Sequence, residues 1–407
     1  MALLVIVGGG IGGLAAALEA ASGSWSKARG NEIIVLREPD DPAPRSEALR
    51  AHHWWHSGLH YARRADADLD FAARLGVVSN LMQKRLQFDL QQVPPGVMRI
   101  PQRGLALFSL AIQQLGIRSQ VRKLSGEEAR HLVGPAYQPG LEASYFEVPD
   151  RPVAEADVLA VLRTHARAHG IHLRDVPGGV RLSLHLDAPC RCLVEADGQE
   201  LEPDALLLAA GCGLPGLLEQ LGIERGAHQL VVDRTLSLVV TRPVFAASLV
   251  ADYGGGWAAT QLERERYVFT VGGSRQEDVP RARWAELPED ATRALRQRFE
   301  QVTRCDIEGQ HRVVSSLEIR KRGVPAPAHA RPLVERAPRS FPGVVWMLPG
   351  RAAMALATAQ LAVAELPRPA RAHRALANLP GHAWQAPIAM AHSRYYDAGS
   401  AARRGAP

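Results

Sequence analysis

Three glycines within the first thirteen residues constrain this chain more than any other feature. The run Leu3-Leu4-Val5-Ile6-Val7 is continuously apolar, as in a strand buried on both faces. Gly8-Gly9-Gly10-Ile11-Gly12-Gly13 follows, and then Leu14-Ala15-Ala16-Ala17-Leu18-Glu19, which has the composition of a helix. Strand, glycine turn and helix in this order make the first βα unit of a doubly wound α/β sheet. In the spacing Gly8, Gly10, Gly13 the glycines have separate tasks. One permits a tight turn, one leaves the backbone bare where a pyrophosphate approaches, and one lets the helix pack close to the strand. The helix aims its free N–H groups and positive dipole end at the phosphates, so Ile11 and Gly12 in its first turn join the three glycines as expected dinucleotide contacts.

A glycine turn with no ligand can show the same spacing. The context argues for the ligand, because a second apolar strand, Glu32-Ile33-Ile34-Val35-Leu36, follows. An acid that binds the ribose hydroxyls is expected at the end of that strand, roughly 20 residues past the fingerprint. Here the spacing is longer because residues 22–30 form an enlarged loop. Arg37 comes directly after Leu36 and Glu38 comes next. Two readings stand: Glu38 holds the ribose, or Arg37 meets a 2′-phosphate as in NADP sites.

At 407 residues the chain is long for one compact core, so two domains are expected. The formal net charge of +6 comes almost wholly from arginine, with lysine only at Lys27, Lys84, Lys123 and Lys321. The arginines are interleaved with acids, which reads as a solvated surface rather than a nucleic-acid footprint. Cys190, Cys192, Cys212 and Cys305 form neither a disulfide framework nor a zinc-ligand spacing; four reduced thiols and a cytoplasmic location are expected. Cys212 lies in a glycine-rich turn, as a ligand neighbour or simply a small buried residue. The uncharged segment 2–18 is interrupted by glycines and lacks a basic leader, so neither a membrane span nor a signal peptide is expected.

Further along, residues 52–61 read His-His-Trp-Trp-His-Ser-Gly-Leu-His-Tyr, an unusual cluster. Helices are expected over 66–76, 157–170, 288–302 and 352–366. Strands are expected over 171–173, 206–208, 236–240, 267–271 and 344–348. The apolar runs after Leu230 have the pattern of an antiparallel sheet. The segment from Pro367 onward is rich in proline, alanine and arginine and reads as a partly disordered tail.

Three blocks resemble the flavin-dependent oxidoreductases of the D-amino-acid oxidase and glycerol-3-phosphate dehydrogenase superfamily. They are the N-terminal fingerprint, the strand and "AAG" turn from Leu206 through Ala210 and Gly211 to Pro215, and the late strand, glycine and helix from Gly343 to Leu366. Within that superfamily, His56-Ser57-Gly58-Leu59-His60-Tyr61 resembles the H-x-G-(L/I)-x-Y segment of L-2-hydroxyglutarate oxidases and glycerol-3-phosphate dehydrogenases. Trp55-His56-Ser57-Gly58-Leu59 also resembles, with one residue fewer between histidine and glycine, the W-H-x-x-G-L of dimethylglycine and sarcosine dehydrogenases, whose histidine carries a covalent flavin. Arg50 falls where relatives have a serine-arginine-asparagine run, with Ala51 in place of the asparagine. The family's substrate arginine after a Gly-Val pair is absent, since the chain reads Gly323-Val324-Pro325-Ala326. The late helix opens Arg351-Ala352-Ala353-Met354, without a second glycine.

The resemblance implies FAD as cofactor, a Rossmann-like FAD-binding domain, and a substrate domain built on an antiparallel sheet: α/β locally, α+β taken whole. The expected FAD domain is discontinuous, residues 1–50, 151–225 and 323–366. The substrate domain takes 51–150 and 226–322, and 367–407 is the tail. The flavin carries the hard step and the protein supplies orientation and electrostatics. The expected reaction passes a hydride from a carbon bearing a hydroxyl, in a small hydroxy acid or polyol, to flavin N5; an amine or amino acid on the same fold is the alternative. An imidazole suits the accompanying proton, because its ordinary pKa lies near neutrality. His56 is the expected base and His60 the reserve, while attachment to the flavin and packing beneath it remain open for His56. The helix start at Gly350, Arg351 and Ala352 would face the anionic reduced flavin. Tyr61, Arg320 and Arg322 are the expected substrate contacts, the two arginines sharing one face of a strand. Trp257, after three glycines, reads as structural or as part of a loop over the pocket. The partners implied are a small-molecule substrate and an electron acceptor of unspecified kind.

Overall fold

A computed structural model describes residues 2–26, 29–39, 53–55, 57–62, 76, 84, 93–138, 142–153, 155–187, 189–223, 230–241, 244–253, 257–263, 266–271, 275–277, 289–307, 311–322, 333–348 and 354–369. Residues 66–75 of the helix expected over 66–76, and residues 370–407 of the expected tail, lie outside the described residues.

Residues Met1–Ala370 form one compact unit, and its strands collect into two large sheets. The first sheet takes Leu3–Val7 (β1), Glu32–Arg37 (β2), His172–Asp175 (β8), Ala205–Leu208 (β12), Leu333–Arg336 (β19) and Val344–Leu348 (β20), in the order β19-β20-β12-β1-β2-β8. All its junctions are parallel except that of β19 with β20. The apolar runs are explained by burial on both faces. Leu4, Ile6, Leu207, Val345 and Met347 pack against the helices Ile11–Ser22 (α1), Glu155–Ala168 (α4) and Ala355–Glu365 (α7). Val5, Val7, Leu206, Leu208, Val344 and Trp346 point the other way. They pack against Leu214–Gln220 (α5) and a small antiparallel sheet of Val180–Leu184 (β9), Cys192–Ala196 (β10) and Gln199–Leu201 (β11). This alternation of one strand's side chains between two cores makes the three layers of a doubly wound fold. Helix α1 is buried nearly all round, and its alanines let α7 lie against it through Ala355, Ala359 and Ala362.

The second sheet has nine strands. Its path is Arg275–Glu277 (β17), Leu230–Val240 (β13), Arg266–Val271 (β16), Trp257–Glu263 (β15), Leu249–Asp252 (β14), Gly96–Pro101 (β4), Ala143–Val148 (β6) and Arg122–Lys123 (β5), with His311–Lys321 (β18) paired to β13. It is antiparallel except where β14 meets β4 in parallel. The sheet is therefore mixed at one junction, which the alternation of apolar residues does not reveal. One face packs on Glu289–Thr303 (α6) and Gly126–Val133 (α3), through Leu238, Phe269, Phe299 and Val133. From the other face, Met98 and Ile100 meet Phe108 of Leu105–Gln114 (α2). A two-stranded ribbon of His53–Trp55 (β3) and Arg151–Val153 (β7) completes the strands.

Trp257 begins β15 and is stacked between Phe245 (centroids 6.3 Å apart, planes at 15°) and Phe269 (5.9 Å, 27°), so it is a core residue. None of the four cysteines is in a disulfide, and Cys212 alone is half-buried. Among the described residues no helix is long and apolar enough to cross a membrane.

Candidate functional site

The fingerprint turn stands at the C-terminal end of β1, the central strand, where bonding diverges to β2 on one side and β12 on the other. Such a switch point is where open α/β sheets bind ligands. Gly8 has φ +123°, a conformation that favours glycine, and a Cβ there would overlap the Ala209 carbonyl. A Cβ on Gly13 would overlap the Gly8 carbonyl and touch Ala209, which gives this glycine the helix-packing task. Gly10 differs from both. A Cβ built on it meets no described atom within 4 Å, so the backbone borders open space.

Gly10 is also the N-cap of α1, with no side-chain cap and no acid in the first turn. The first N–H groups of α1 and its positive dipole end therefore lack any capping side chain, beside a gap that a single methyl would begin to fill. The residues present fit a pyrophosphate. Ile11, Gly12 and Gly13 line the start of this helix and are buried within it. Ala210 and Gly211 are drawn to the same place, since β12 runs beside β1 and the Ala209 N–H donates to the Val7 carbonyl at 2.8 Å. The Gly211–Gly213 turn also packs against β18, the strand that carries Arg320.

Arg37 and Glu38 separate clearly. Arg37 ends β2, and its stem lies under the glycine turn, where a Cβ on Gly9 would strike it. Its guanidinium Nε is 2.6 Å from Asp175 Oδ1 at the end of the neighbouring strand β8. Glu38, one residue on, is exposed.

The histidine segment is held between the two sheets. Trp55, on β3, is buried in the core of the first sheet. Leu59 and Ala62 are buried with Met98, Ile100, Phe108 and Tyr253 of the second. Trp55 and Leu59, four residues apart, thus belong to different cores. Gly58 has φ +96° at the entry to a one-turn 3-10 helix, Leu59–Tyr61, which carries His60 and Tyr61. A residue that sequence reasoning missed fastens this turn. Asp150, with no solvent exposure, accepts from the Ser57 hydroxyl at 2.5 Å and from the Ser57 N–H at 3.2 Å. The pair is 93 residues apart, and no spacing rule flags it.

Arg320 lies on β18 opposite Val231. Strand alternation does not reach Arg322, because β18 ends at Lys321; Arg322 stands exposed in the turn beyond and does not share a strand face with Arg320. Lys321 is tied to Glu335 of β19 at 3.0 Å, a link between the two sheets. Arg50, His56, Gly350, Arg351 and Ala352 lie outside the described residues, as do the side chains of Tyr61 and Arg320. At the far end of β4 from Gly96, Arg99 binds Asp252 (2.8 Å) and Gln138 (2.7 Å) at the edge of an open cleft of about 620 Å³ that Arg103, Glu142 and Arg298 also line.

Residues 4–365 match the family model described as FAD dependent oxidoreductase (DAO). The chain belongs to that family. It is an enzyme, a flavoprotein oxidoreductase that uses FAD. Among solved structures it is similar to L-alpha-glycerophosphate oxidase from Mycoplasma pneumoniae, which was solved with FAD bound. That match has 16% identity and TM-score 0.65, and covers 90% of this chain and 95% of that one. Iminodiacetate oxidase from Chelativorans sp. BNC1 gives 17% identity, TM-score 0.63 and coverage of 89% and 93%. L-proline dehydrogenase from P. horikoshii gives 12%, 0.65, and 89% and 92%. At these identities the shared property is the fold, and the fold is that of FAD-binding, Rossmann-like oxidoreductases. A search of curated proteins gives no match.

Proposed function

We propose that this flavoenzyme oxidises a small hydroxy acid or polyol at the carbon bearing the hydroxyl. The single observation that carries the reading is what flanks position 56: Trp55 is buried in the core of the cofactor-binding sheet and Leu59 in the core of the second sheet. This supports a base in the segment, since a side chain between the two cores would be near both a flavin and a substrate. When bound, FAD would supply the two-electron acceptor for the hydride that leaves this carbon. The substrate also loses its hydroxyl proton, so a carbonyl forms. His56 takes that proton, with His60 as the alternative base and Tyr61 as a substrate contact. Gly8, Gly10, Ile11, Gly12 and Gly13, with Ala210 and Gly211, cradle the dinucleotide, and Glu38 holds the ribose. Arg37 positions the turn from beneath, because Asp175 already engages its charge. Arg320 is the proposed partner for an anionic substrate group, and the start of α7 beyond Gly350, Arg351 and Ala352 favours the reduced flavin. The segment's likeness to L-2-hydroxyglutarate oxidases supports the hydroxyl.

A second reading is an amine or amino-acid substrate. The Trp55-His56-Ser57-Gly58-Leu59 motif favours it, as do neighbours named for iminodiacetate and L-proline. Acid precipitation, followed by anaerobic titration with hydroxy acids, polyols and secondary amines, separates the two. Flavin released to the supernatant and bleached by a hydroxy acid supports the first reading. Flavin kept in the pellet and bleached only by amines overturns it and makes His56 the attachment site. His56→Ala should bind FAD yet lose most of its reduction rate; wild-type bleaching kinetics would remove it as the base.

A further inference from the structure

We propose that Asp150 is the positioning residue of the histidine turn, setting where residues 57–61 stand against the cofactor; this rests on the reading that the turn carries the base. Asp150 sits between β6 and β7, fully buried, where a carboxylate is costly unless each oxygen finds a donor. Both oxygens are engaged by one residue: Ser57 Oγ donates to Oδ2 at 2.5 Å and the Ser57 N–H to Oδ1 at 3.2 Å. A two-point clamp fixes the orientation of residue 57 as well as its place, which a single hydrogen bond does not.

The neighbours extend the clamp to the second sheet and to the β3–β7 ribbon. The Asp150 carbonyl accepts from the Gly96 N–H at 2.8 Å, at the start of β4. Arg151, the next residue, pairs with Trp55 in the β3–β7 ribbon, just before position 56. Ser57 Oγ also accepts from the Leu59 N–H at 3.4 Å, which continues the constraint into the 3-10 turn. At the other end, the Tyr253 hydroxyl donates to the Ala62 carbonyl at 2.8 Å. His60 thus rides on a single turn tied at its entry by Asp150 and at its exit by Tyr253. Both bonds satisfy the buried carboxylate, and both fall on the residue next to the proposed base, so the same contacts that stabilise Asp150 also fix where the turn begins.

The test uses FAD-loaded Asp150→Asn, Asp150→Ala and Ser57→Ala proteins, with three readouts: the visible spectrum of the bound flavin, its affinity for sulfite, and the melting temperature. Sulfite reacts with flavin directly, so this readout needs no substrate. In Asp150→Ala, and less strongly in Ser57→Ala, sulfite affinity should change by roughly tenfold or more, the scale of one charge-assisted hydrogen bond. Asp150→Asn keeps the shape and one acceptor and should rescue part of the shift. A lowered melting temperature with wild-type spectrum and sulfite affinity in the alanine variants would reduce Asp150 to a stability residue and overturn the proposal. Should Asp150→Ala fail to fold, Ser57→Ala decides on the same readouts. If the sulfite shift is present while His56→Ala and His60→Ala both reduce normally, the base assignment fails and the positioning role stands.

Discussion

Gly10 and Gly13 are three residues apart on the same turn, yet substitution should harm them in opposite ways. Gly10 has φ −74° and ψ −179°, backbone that any residue adopts, and a Cβ there meets no described atom within 4 Å. Gly10→Val should therefore leave the stability of the apoprotein within about 1 kcal/mol of the parent. The branched side chain fills the gap where the pyrophosphate approaches and keeps it from the α1 N–H groups. Losing two charge-assisted hydrogen bonds at about 1.5–3 kcal/mol each weakens FAD binding by about 3–6 kcal/mol, or ~10²- to 10⁴-fold. Gly13→Ala sets its methyl against the Gly8 carbonyl, which is fixed backbone. Strand and helix must then separate by roughly 1 Å in a close-packed layer, at a cost of about 3 kcal/mol or more. The assay is a thermal melt of each apoprotein by circular dichroism, followed by FAD titration read from flavin fluorescence. The expected pattern is a parent-like melt without FAD binding for Gly10→Val, and a large drop in melting temperature for Gly13→Ala. A Gly10→Val protein that binds FAD with parental affinity would refute the division of labour argued for this turn.

Two further outcomes follow from side-chain environments. Trp257→Ala, which empties the space between Phe245 and Phe269, should cost about 3–5 kcal/mol in urea denaturation while leaving flavin content unchanged; a loss below about 1 kcal/mol would contradict its place in the core. Burial pushes the Cys190 thiol up to about 11 and the Cys192 thiol up to about 12, from an ordinary value of 9.0. Because the fold favours the protonated thiols, their contribution is fully present below pH 9 and is lost as pH rises toward 11–12. The urea midpoint should fall across that window, and fall less in the Cys190→Ala, Cys192→Ala double variant; equal slopes would show that other groups set the alkaline limit.

The first βα unit is legible in the sequence because everything that makes it is local. Val5 and Val7 lie in a run with no polar face, and the glycines mark the one place where backbone must approach backbone. The same holds for β12 and β20, apolar on both sides because both faces are covered. β4 is harder to see: Gly96 opens it, Pro101 closes it and Arg99 interrupts its apolar pattern. Arg99 is tolerated there only through Asp252 and Gln138, which arrive from distant segments. The Asp150–Ser57 clamp is illegible for the same reason, since it joins two common polar residues across 93 positions. Arg37 shows a milder version. Its identity suggests a phosphate partner, and only the register of β2 with β8 reveals that Asp175 stands beside it.

The order of strands in the first sheet bears on how the chain reaches its native state during synthesis. β1 precedes the other strands of this sheet along the chain, but one of its two neighbours is built from residues 205–208, and the strand beyond that from residues 344–348. Helix α1 likewise waits for α7, at residues 355–365, to cover its alanines. The glycine turn therefore cannot be walled in until residues 344–365 have left the ribosome, and loop-closure entropy makes such distant parallel pairings slow. Until then a hydrophobic strand and an alanine-rich helix are open to other chains. Cofactor capture is thus a late event in biogenesis, and a truncation that removes β20 and α7 would leave the N-terminal fingerprint intact in sequence but without a site to belong to.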